Sequence, residues 1–235
     1  MTDTKDTQPI VRLEQVRKTY LQGKIEVHAV KDVSLDIQQG DFAALCGPSG
    51  SGKTSILNII GALDVPDSGN VFVDGINLAT LDQAECADIR KNHIGFVFQS
   101  YNLIPVMTAF ENAAFVLDLQ DHSQEDINHR VMEVLKDVGL EGLEHRKPDE
   151  MSGGQQQRVA IARAIVTRPA IVLADEPTAN VDSETAESLL QLMLKLNEEH
   201  GITFLFSTHD HHVMDKARRI IKVHDGEIAG DSQAS

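Results

Sequence analysis

Residues 47–54 read GPSGSGKT and lie between two apolar segments, DFAALC at residues 41–46 and SILNIIGAL at residues 55–63. The spacing fits the pattern G-x-x-x-x-G-K-[ST], in which glycines let the loop curl so that successive backbone N–H groups point at a phosphate. The first apolar segment is typical of a buried strand and the second of a helix, whose positive N-terminal end favours the same anion. This order of strand, loop and helix predicts an α/β nucleotide-binding fold.

Two side chains of this loop have specific chemistry. We expect Lys53 to reach the β- and γ-phosphates of a nucleoside triphosphate and Thr54 to bind Mg²⁺. ATP and Mg²⁺ are therefore the expected cofactors. The predicted phosphate site consists of Gly47, Pro48, Ser49, Gly50, Ser51, Gly52, Lys53, Thr54 and Ser55.

A second motif, IVLADE at residues 171–176, ends in two acidic residues. Its apolar part, residues 170–174, is predicted to be a central parallel strand, because short apolar runs suit a sheet that is covered on both faces. Asp175 and Glu176 then lie at the C-terminal edge of the sheet, where such folds bind ligands. We expect Asp175 to hold Mg²⁺, directly or through water, and Glu176 to polarise the attacking water as general base. From that placement we expect the chain to hydrolyse ATP and not only to bind it.

A third motif, MSGGQQQR at residues 151–158, is a second phosphate-binding turn that a single nucleotide site does not require. With it, the chain resembles the ATP-binding cassette (ABC) ATPases from about residue 11 to residue 228, although Met151 replaces the usual Leu. The resemblance implies that this turn, at the start of a helix predicted over residues 155–167, binds the γ-phosphate held by an opposite subunit. The expected assembly is a homodimer with ATP sandwiched between two chains. The residues concerned are Ser152, Gly153, Gly154 and Gln155.

Two further residues match catalytic positions of the family. Gln99 ends the apolar run at residues 94–99 and corresponds to the glutamine that touches Mg²⁺ or water and senses the γ-phosphate. His209 follows the apolar run at residues 202–207 and corresponds to the switch histidine that contacts the γ-phosphate and orients Glu176. The resemblance thus implies that Glu176, His209 and Gln99 are the catalytic residues. It also implies a metal site formed by Thr54, Gln99 and Asp175.

Two more matches concern the adenine and the dimer interface. Tyr20 corresponds to the aromatic residue that stacks on adenine, a contact that depends on the face of the ring. Asp182 corresponds to the loop that crosses between subunits, although Asn180 and Val181 differ from the usual residues there. Packing or surface roles are the alternatives for single residues of these types.

Histidines and cysteines give no separate prediction of a metal centre or a disulfide. The segment HDHH at residues 209–212 contains clustered histidines, but no cysteine or spaced partner accompanies them as in zinc sites. Cys46 and Cys86 are the two cysteines and lack C-x-x-C spacing, which favours free thiols.

Charge and hydropathy exclude several classes of protein. The 235 residues include 21 Lys or Arg and 36 Asp or Glu, a formal net charge of −15, which disfavours nucleic acid or anionic lipid as a broad partner. No stretch reaches the 18 or so apolar residues of a membrane helix, and residues 1–10 lack the apolar core of a signal peptide. We therefore expect a cytoplasmic protein that does not insert into lipid and is peripheral on the inner face of the membrane through a partner.

The pattern along the chain predicts one ABC ATPase domain over residues 1–235, with three parts. An N-terminal antiparallel β part is expected because apolar and polar residues alternate there. A parallel catalytic core and a helical insert that positions the signature turn are expected beyond it. The parts are an antiparallel section at residues 10–40, a core at 41–99 and 152–229, and an insert at 100–151. Within them we predict helices at 108–119, 123–140 and 183–200 and a hairpin at 219–229, and we note a polar stretch at 65–75. The two ends, residues 1–9 and 230–235, are predicted to be disordered.

An ABC ATPase without apolar spans resembles the engine of a transporter whose transmembrane permease is a separate chain. The segment SYNLIPVMTAFEN, residues 100–112, is unusually apolar for a loop, and we interpret it as a groove for a cytoplasmic helix of that permease. The alternative is that these side chains pack the helical insert. The residues in question are Tyr101, Leu103, Ile104, Pro105, Val106 and Met107.

Within the family, the motifs are most similar to the lipoprotein-release and macrolide-export branch, in which cargo such as lipoprotein, antibiotic or peptide contacts the permease. The motif set leaves two alternatives. A soluble ABC ATPase of DNA repair or translation would share it, although such chains carry long coiled-coil inserts or two tandem cassettes. A P-loop kinase would share only the first motif and has no use for the signature turn.

Overall fold

The computed structural model describes residues 8–233. Their strands form two sheets, one of six strands and one of four. The strands are β1 (Val11–Gln22), β2 (Ile25–Ile37), β3 (Phe42–Cys46), β4 (Ser68–Val73), β5 (Ile76–Asn77), β6 (Ile94–Phe98), β7 (Ile171–Asp175), β8 (Phe204–Thr208), β9 (Arg219–His224) and β10 (Glu227–Gln233). The helices are α1 (Lys53–Ile60), α2 (Gln83–His93), α3 (Ala109–Asp118), α4 (Gln124–Asp137), α5 (Gly153–Ile165), α6 (Ser183–His200) and α7 (His211–Lys216). None of the helices within residues 8–233 combines the length and the apolar character needed to cross a membrane.

The six-stranded sheet has the order β10-β9-β3-β8-β7-β6, and only β10 runs antiparallel to its neighbour. Strands β3, β7 and β8 are apolar and buried almost throughout, as parallel strands covered on both faces must be. Their C-terminal ends form one edge, where Cys46 lies opposite Thr208 and Asp175 lies between Ser207 and Phe98. The predicted α/β fold with a mainly parallel sheet is confirmed, and the phosphate loop, Gln99, Glu176 and His209 each directly follow a strand that ends at this edge.

The four-stranded sheet has the order β2-β1-β4-β5 and is antiparallel. Val11 of the first strand pairs with Ile37 on one side and with Val73 on the other, which confirms the antiparallel section near the N-terminus. The polar stretch at residues 65–75, for which the sequence analysis predicted no element, contains β4 at residues 68–73. Turn-forming residues surround a short alternation of buried valines there, so the strand depends on a partner that lies far away in the sequence.

The two faces of the six-stranded sheet carry different cores. In β3, Phe42 and Ala44 face a core shared with α3, α4, α5 and α6, whereas Ala43 and Leu45 face a core shared with α1, α2 and the antiparallel sheet. Phe42 also meets Phe206 edge to face, with ring centroids 4.8 Å apart. Each fully buried large apolar side chain contributes about 1.5–3 kcal/mol to folding. The parallel sheet is therefore held rigidly from both sides, which keeps its catalytic edge in place.

Helix ends follow the local signals of the sequence. Ser123 caps α4 as predicted, and α6 ends at Gly201, whose left-handed φ of 66° suits a glycine. Helix α5 begins at Gly153, two positions before the predicted start, because the side chain of Ser152 caps it. The helices expected in the insert and after the acidic motif are confirmed within about three residues at each end.

The C-terminal strands form the predicted hairpin. Asp225 and Gly226 make its turn with φ of 47° and 82°, a left-handed pair typical of two-residue hairpins. The predicted disorder at residues 230–235 was wrong for residues 230–233, because they pair with β9 and Asp231 binds Arg219 at 2.7 Å. The rest of the predicted disordered ends, apart from residues 8 and 9, lies outside the described residues.

Candidate nucleotide-binding site

The glycine-rich loop wraps around its own lysine. Gly50 and Gly52 have φ of 79° and 106°, which L side chains rarely adopt, and α1 begins at the next residue. The Nζ of Lys53 donates hydrogen bonds to the carbonyl oxygens of Gly47 and Pro48, at 2.7 and 3.0 Å, and the residue is only 6% exposed. A buried ammonium group held by neutral carbonyl oxygens is ready to exchange them for anionic phosphate oxygens.

The back of the same loop is closed by backbone from distant segments. A Cβ on Gly47 would collide with the carbonyl oxygen of Val223, and one on Gly52 with that of Ala29. Gly226, at the tip of the C-terminal hairpin, donates its N–H to the carbonyl of Ser51 at 2.9 Å. The loop is therefore pressed between β2 and the β9–β10 hairpin, and glycine is required at both contact points. The sequence motif identified these glycines, but not the hairpin behind them.

Oxygen ligands for a hard cation lie beside the loop. Thr54 donates its hydroxyl to Asp175 Oδ1 at 3.4 Å, which joins the start of α1 to the end of β7. A hydroxyl and a carboxylate are the oxygen donors that Mg²⁺ prefers, so the residues present fit that ion. Gln99, predicted as a third ligand, instead donates its Nε2 to Asn180 Oδ1 at 3.3 Å. The structure brings two of the three predicted ligands together and turns the third toward the loop that precedes α6.

Glu176 and His209 form a close pair. Their Oε1 and Nδ1 atoms are 2.6 Å apart, and Thr208 donates its hydroxyl to the other carboxylate oxygen of Glu176 at 3.2 Å. The backbone of Glu176 has φ of 46°, an uncommon conformation for a non-glycine residue that is often found at functional sites, and its N–H donates to the carbonyl of Ser207. Both carboxylate oxygens therefore have defined partners at the end of β8, and these partners set the direction of the Glu176 side chain.

The signature turn begins α5 with a complete capping box. Ser152 Oγ accepts from the N–H of Gln155 at 3.3 Å, and Gln155 Oε1 accepts from the N–H of Ser152 at 2.9 Å. A Cβ on Gly153 would lie 2.9 Å from the Tyr101 hydroxyl, and one on Gly154 would lie 2.5 Å from Thr185 Cγ2. The turn therefore packs closely on its neighbours at the back while Ser152 stays exposed at the front. Within residues 8–233, no hydrogen bond joins the signature motif to the phosphate loop.

Asp182 and Tyr20 are both fixed by hydrogen bonds at the edges of the site. Asp182 caps α6 and accepts from the N–H and the hydroxyl of Thr185, at 2.9 and 2.7 Å. The backbone hydrogen bond from Thr185 is the main reason that the pKa of Asp182 lies below its usual value. Tyr20 lies in β1 and donates its hydroxyl to Asp64 Oδ2 at 2.7 Å. The sequence did not suggest a role for Asp64, which belongs to no motif.

Sequence reasoning also missed Gln157, which is completely buried within α5. Its Nε2 donates to the carbonyls of Phe98 and Pro177, at 3.4 and 2.6 Å, and its Oε1 has no hydrogen-bond partner among the residues that the structure describes. These carbonyls belong to the residues next to Gln99 and Glu176, so α5 is tied to both catalytic loops of its own chain. A detectable signal existed, because Gln157 is a polar residue four positions before Ile161 on the buried face of the helix.

The apolar segment after Gln99 faces inward for part of its length. Leu103 packs against the main core, and Tyr101 donates its hydroxyl to the carbonyl of Asn180 at 3.1 Å. Arg163 holds the carbonyls of Tyr101 and Asn102, at 2.9 and 2.6 Å, and both residues have left-handed φ angles. Val106, by contrast, is 75% exposed. Tyr101 and Leu103 are thus packing residues, whereas Val106 is available at the surface.

The phosphate loop, the acidic strand end and the glutamate–histidine pair together define a P-loop nucleotide-binding protein of the α/β class. Comparison with known families narrows this class: a model of the ABC transporter family matches residues 30–179, and the chain belongs to that family as an ATP-binding cassette ATPase. This membership excludes the alternative of a P-loop kinase.

Three relatives illustrate the similarity. The uncharacterized ABC transporter ATP-binding protein MJ0796 of Methanocaldococcus jannaschii is 48% identical over 93% of this chain and 95% of its own length. Its dimeric structure in a post-hydrolysis state, bound to ADP and Pi, covers 95% of this chain and 98% of the compared chain, with a TM-score of 0.86 at 47% identity. The lipoprotein-releasing system ATP-binding protein LolD of Bordetella pertussis is 40% identical over 98% of this chain and 100% of its own length. The macrolide export ATP-binding/permease protein MacB of Syntrophobacter fumaroxidans is 44% identical over 96% of this chain, which spans only 32% of that protein.

Proposed function

We propose that this chain is the ATP-hydrolysing subunit of a transporter whose permease is a separate membrane protein, and that it drives export or release of lipoprotein, antibiotic or peptide cargo. The observation that carries the hydrolytic part is the Glu176–His209 pair at 2.6 Å, beside a phosphate loop with a buried lysine. The similarity to LolD over the whole length, and to one third of a protein named as both ATP-binding and permease, supports the coupling to a permease.

Binding begins at the phosphate loop. Lys53 exchanges the carbonyls of Gly47 and Pro48 for oxygens of the β- and γ-phosphates, and the loop N–H groups donate hydrogen bonds to the other phosphate oxygens. Thr54 and Asp175 are the residues that would hold Mg²⁺, with Gln99 joining them once its contact with Asn180 is released. When bound, the ion would neutralise charge on the phosphate oxygens.

The general base of the proposed hydrolysis is Glu176, which directly follows β7. Glu176 takes a proton from a water molecule while the water oxygen attacks the γ-phosphorus and the bond to the bridging β–γ oxygen breaks, which yields ADP and inorganic phosphate. His209 holds Glu176 in direction through its Nδ1 contact and is available to the γ-phosphate through its other ring nitrogen. Most of the rate enhancement then comes from positioning and charge stabilisation.

The second half of the site comes from another copy of the chain. Ser152 and the N–H groups of Gly153 and Gly154 open α5 toward solvent, where a helix N-terminus attracts an anion. The dimeric structure of the relative MJ0796, bound to ADP and Pi, supports a homodimer. In the homodimer that we propose, each signature turn meets the nucleotide of the other subunit. Asp182 lies next to this turn and would cross the same interface.

The permease is proposed to dock on the helical insert. Phe115 and Leu119 lie one turn apart at the end of α3 and are 38% and 53% exposed, and Val106 is exposed just before that helix. Exposed apolar residues of this size, on a helix that already buries its other face, suit contact with an apolar helix of a partner. We propose that this contact holds the chain at the cytoplasmic face of the membrane, through its permease.

We also propose that residues 1–235 form one functional domain, with parts at residues 10–40, at 41–99 with 152–229, and at 100–151. Strands β4 and β5 lie within the second of these parts by sequence, but β4 pairs with β1 of the first part and β5 pairs with β4.

The Glu176→Gln variant tests the hydrolytic and dimeric parts together. Loss of the general base is expected to lower ATP turnover by about 10²- to 10⁴-fold, because the amide cannot take the proton of the water. ATP, but not ADP, should convert this variant to a species of twice the mass in sizing with light scattering. Unchanged turnover would overturn the role of Glu176, and a mass that never responds to ATP would overturn the sandwiched dimer.

The docking surface has its own test. Val106→Glu with Leu119→Glu should leave the ATP turnover of the isolated chain unchanged and abolish its recovery in the membrane fraction when it is coexpressed with the permease. Met132→Glu, at an equally apolar position of α4 that is 45% exposed, is the matched control and should still be recovered with the membrane. Full recovery of the double variant would contradict the assignment.

A further inference from the structure

Three side chains meet beside the strand that carries Tyr20. Asp64 accepts from Lys18 Nζ through Oδ1 and from the Tyr20 hydroxyl through Oδ2, each at 2.7 Å. Lys18 and Tyr20 lie two positions apart on β1, and therefore on the same face of the strand. Lys18 Nζ also lies 5.3 Å from the centroid of the Tyr20 ring, in the range of a cation–π contact. One carboxylate thus holds both the hydroxyl of the ring and the cation above it.

Asp64 is itself anchored to the helix that follows the phosphate loop. The N–H groups of Leu63 and Asp64 donate to the carbonyl of Asn58, within α1, at 2.9 and 3.2 Å. The N–H of Val65 donates to Asp64 Oδ1 at 2.8 Å, and Lys18 Nζ reaches the carbonyl of Val65 at 2.7 Å. The position of the carboxylate is therefore set by the chain that leaves α1, and the Tyr20 ring is tied to the same helix as Lys53.

The local electrostatics agree with a fixed, charged carboxylate. Burial alone would raise the pKa of Asp64, but hydrogen bonds from Lys18, Tyr20 and the Val65 backbone outweigh it and hold the pKa below its usual value. For Tyr20, burial and the hydrogen bond to Asp64 raise the pKa of the phenol, so the hydroxyl remains a donor. The side chains of Lys18 and Asp64 are only 13% and 28% exposed, so solvent screening of the contact is partial.

We propose that Asp64 is a positioning residue for the nucleotide base: it holds the Tyr20 ring, with Lys18 on it, in the orientation that stacks on adenine. The inference rests on the adenine contact that the family resemblance predicts for Tyr20, which we propose as part of the nucleotide site. A tyrosine side chain on a strand can rotate about two torsions, and stacking gains affinity only if the ring is already presented face-on. Asp64 removes that freedom, so the affinity for the base depends on a residue that touches neither base nor phosphate.

The test separates the base from the phosphates. In the protein with an intact Glu176, dissociation constants are measured by calorimetry for ADP, which is neither hydrolysed nor expected to drive dimerisation, and for inorganic pyrophosphate. Their ratio reports the contribution of the nucleoside part of ADP, which contains the base. Tyr20→Ala should reduce this ratio by about 10-fold, the order of one base–aromatic stack. Asp64→Ala and Tyr20→Phe should each reduce it by about 3-fold, and the two changes together should reduce it no further, because both break the same contact.

Asp67→Ala is the matched control, because Asp67 accepts from the N–H of Thr19 and lies 3.8 Å from Lys18 but does not touch Tyr20. Its ratio should equal that of the parent. If Tyr20→Ala leaves the ratio unchanged, the proposed adenine contact fails. If Tyr20→Ala lowers the ratio while Asp64→Ala and Tyr20→Phe do not, the role of Asp64 is overturned and the adenine contact stands. Should Asp64→Ala not fold, as judged by circular dichroism, Tyr20→Phe decides the question.

Discussion

The phosphate loop and the signature turn are both glycine-rich segments that open a helix, yet the chain treats them differently. The phosphate loop is enclosed: Lys53 is bound by two carbonyls of its own loop, and a distant hairpin closes the loop from behind. The signature turn is satisfied only by the capping box between Ser152 and Gln155, and its serine stays exposed. The phosphate loop is thus enclosed within a single chain, whereas the signature turn is, in our proposal, the half of the site that a second molecule provides.

The largest effect is expected in the phosphate loop. Lys53→Met keeps the length of the side chain but removes the ammonium group, so the triphosphate loses its main charged partner. We expect ATP affinity to fall by at least 100-fold, since a charge-assisted hydrogen bond contributes about 1.5–3 kcal/mol and Lys53 would make more than one. Equilibrium binding of a fluorescent ATP analogue to the monomer measures this. An affinity within 3-fold of that of the parent protein would contradict the role of Lys53 in holding the triphosphate in the phosphate loop.

The second largest effect is expected in the signature turn. Ser152→Ala should lower ATP turnover by about 10- to 100-fold and abolish ATP-dependent dimerisation of the Glu176→Gln protein, while ATP affinity of the monomer stays unchanged. The change also removes a helix cap, which costs about 0.5–2 kcal/mol.

Ser123→Ala is the matched control for that cost, because Ser123 caps α4 with the same kind of side-chain hydrogen bond. Its loss of stability in urea unfolding should be similar, with turnover unaffected. If both serine variants lose turnover to the same degree, the signature turn has no role beyond capping its helix.

A smaller effect is expected at the hairpin that supports the phosphate loop. Gly226→Ala places a Cβ about 3.0 Å from the carbonyl oxygen of Ala29 in a left-handed conformation, so the tip must shift away from Ser51. We expect a destabilisation of about 1–2 kcal/mol and a rise of a few-fold in the KM for ATP. Gly75→Ala, at the same position of another Asp-Gly turn but with open space around it, should lose similar backbone freedom and leave KM unchanged. Equal KM values for the two variants would show that the hairpin does not shape the loop.

The smallest effect concerns acid stability beside the signature turn. The pKa of Asp182 is lowered in the folded protein, chiefly by the Thr185 N–H, so its contribution is present above the unfolded pKa of about 3.8–3.9 and is lost as pH falls through the folded pKa. Asn is an equally good helix cap without a titrating group. Urea unfolding from pH 7 to pH 3 should therefore show a steeper acid decline for the parent than for Asp182→Asn. Parallel curves would mean that the cap does not depend on charge.

Local signals allowed most elements to be predicted. Strands β3, β7 and β8 follow from short apolar runs, because strands that are covered on both faces need apolar residues throughout. Helices α4 and α6 follow from apolar periodicity and capping residues, because helix hydrogen bonds join residues that are close in sequence. Strand β4 could not be recognised, because its partner β1 lies about sixty residues earlier and its own composition resembles a turn. The inward-facing position of Tyr101 could not be predicted either, because its backbone carbonyl is held by Arg163, which lies on α5.

The sequence by itself determined the phosphate loop, the acidic strand end and the serine-capped signature turn, because glycine positions and side-chain spacing act over a few residues of backbone. Only the tertiary structure decided which distant groups meet: the Gly226 tip behind Ser51, Gln157 between the two catalytic loops, and Asp64 at the hydroxyl of Tyr20. The physical reason is that a hydrogen bond between residues far apart in the chain forms where two packed cores bring them together, and no local pattern encodes that packing.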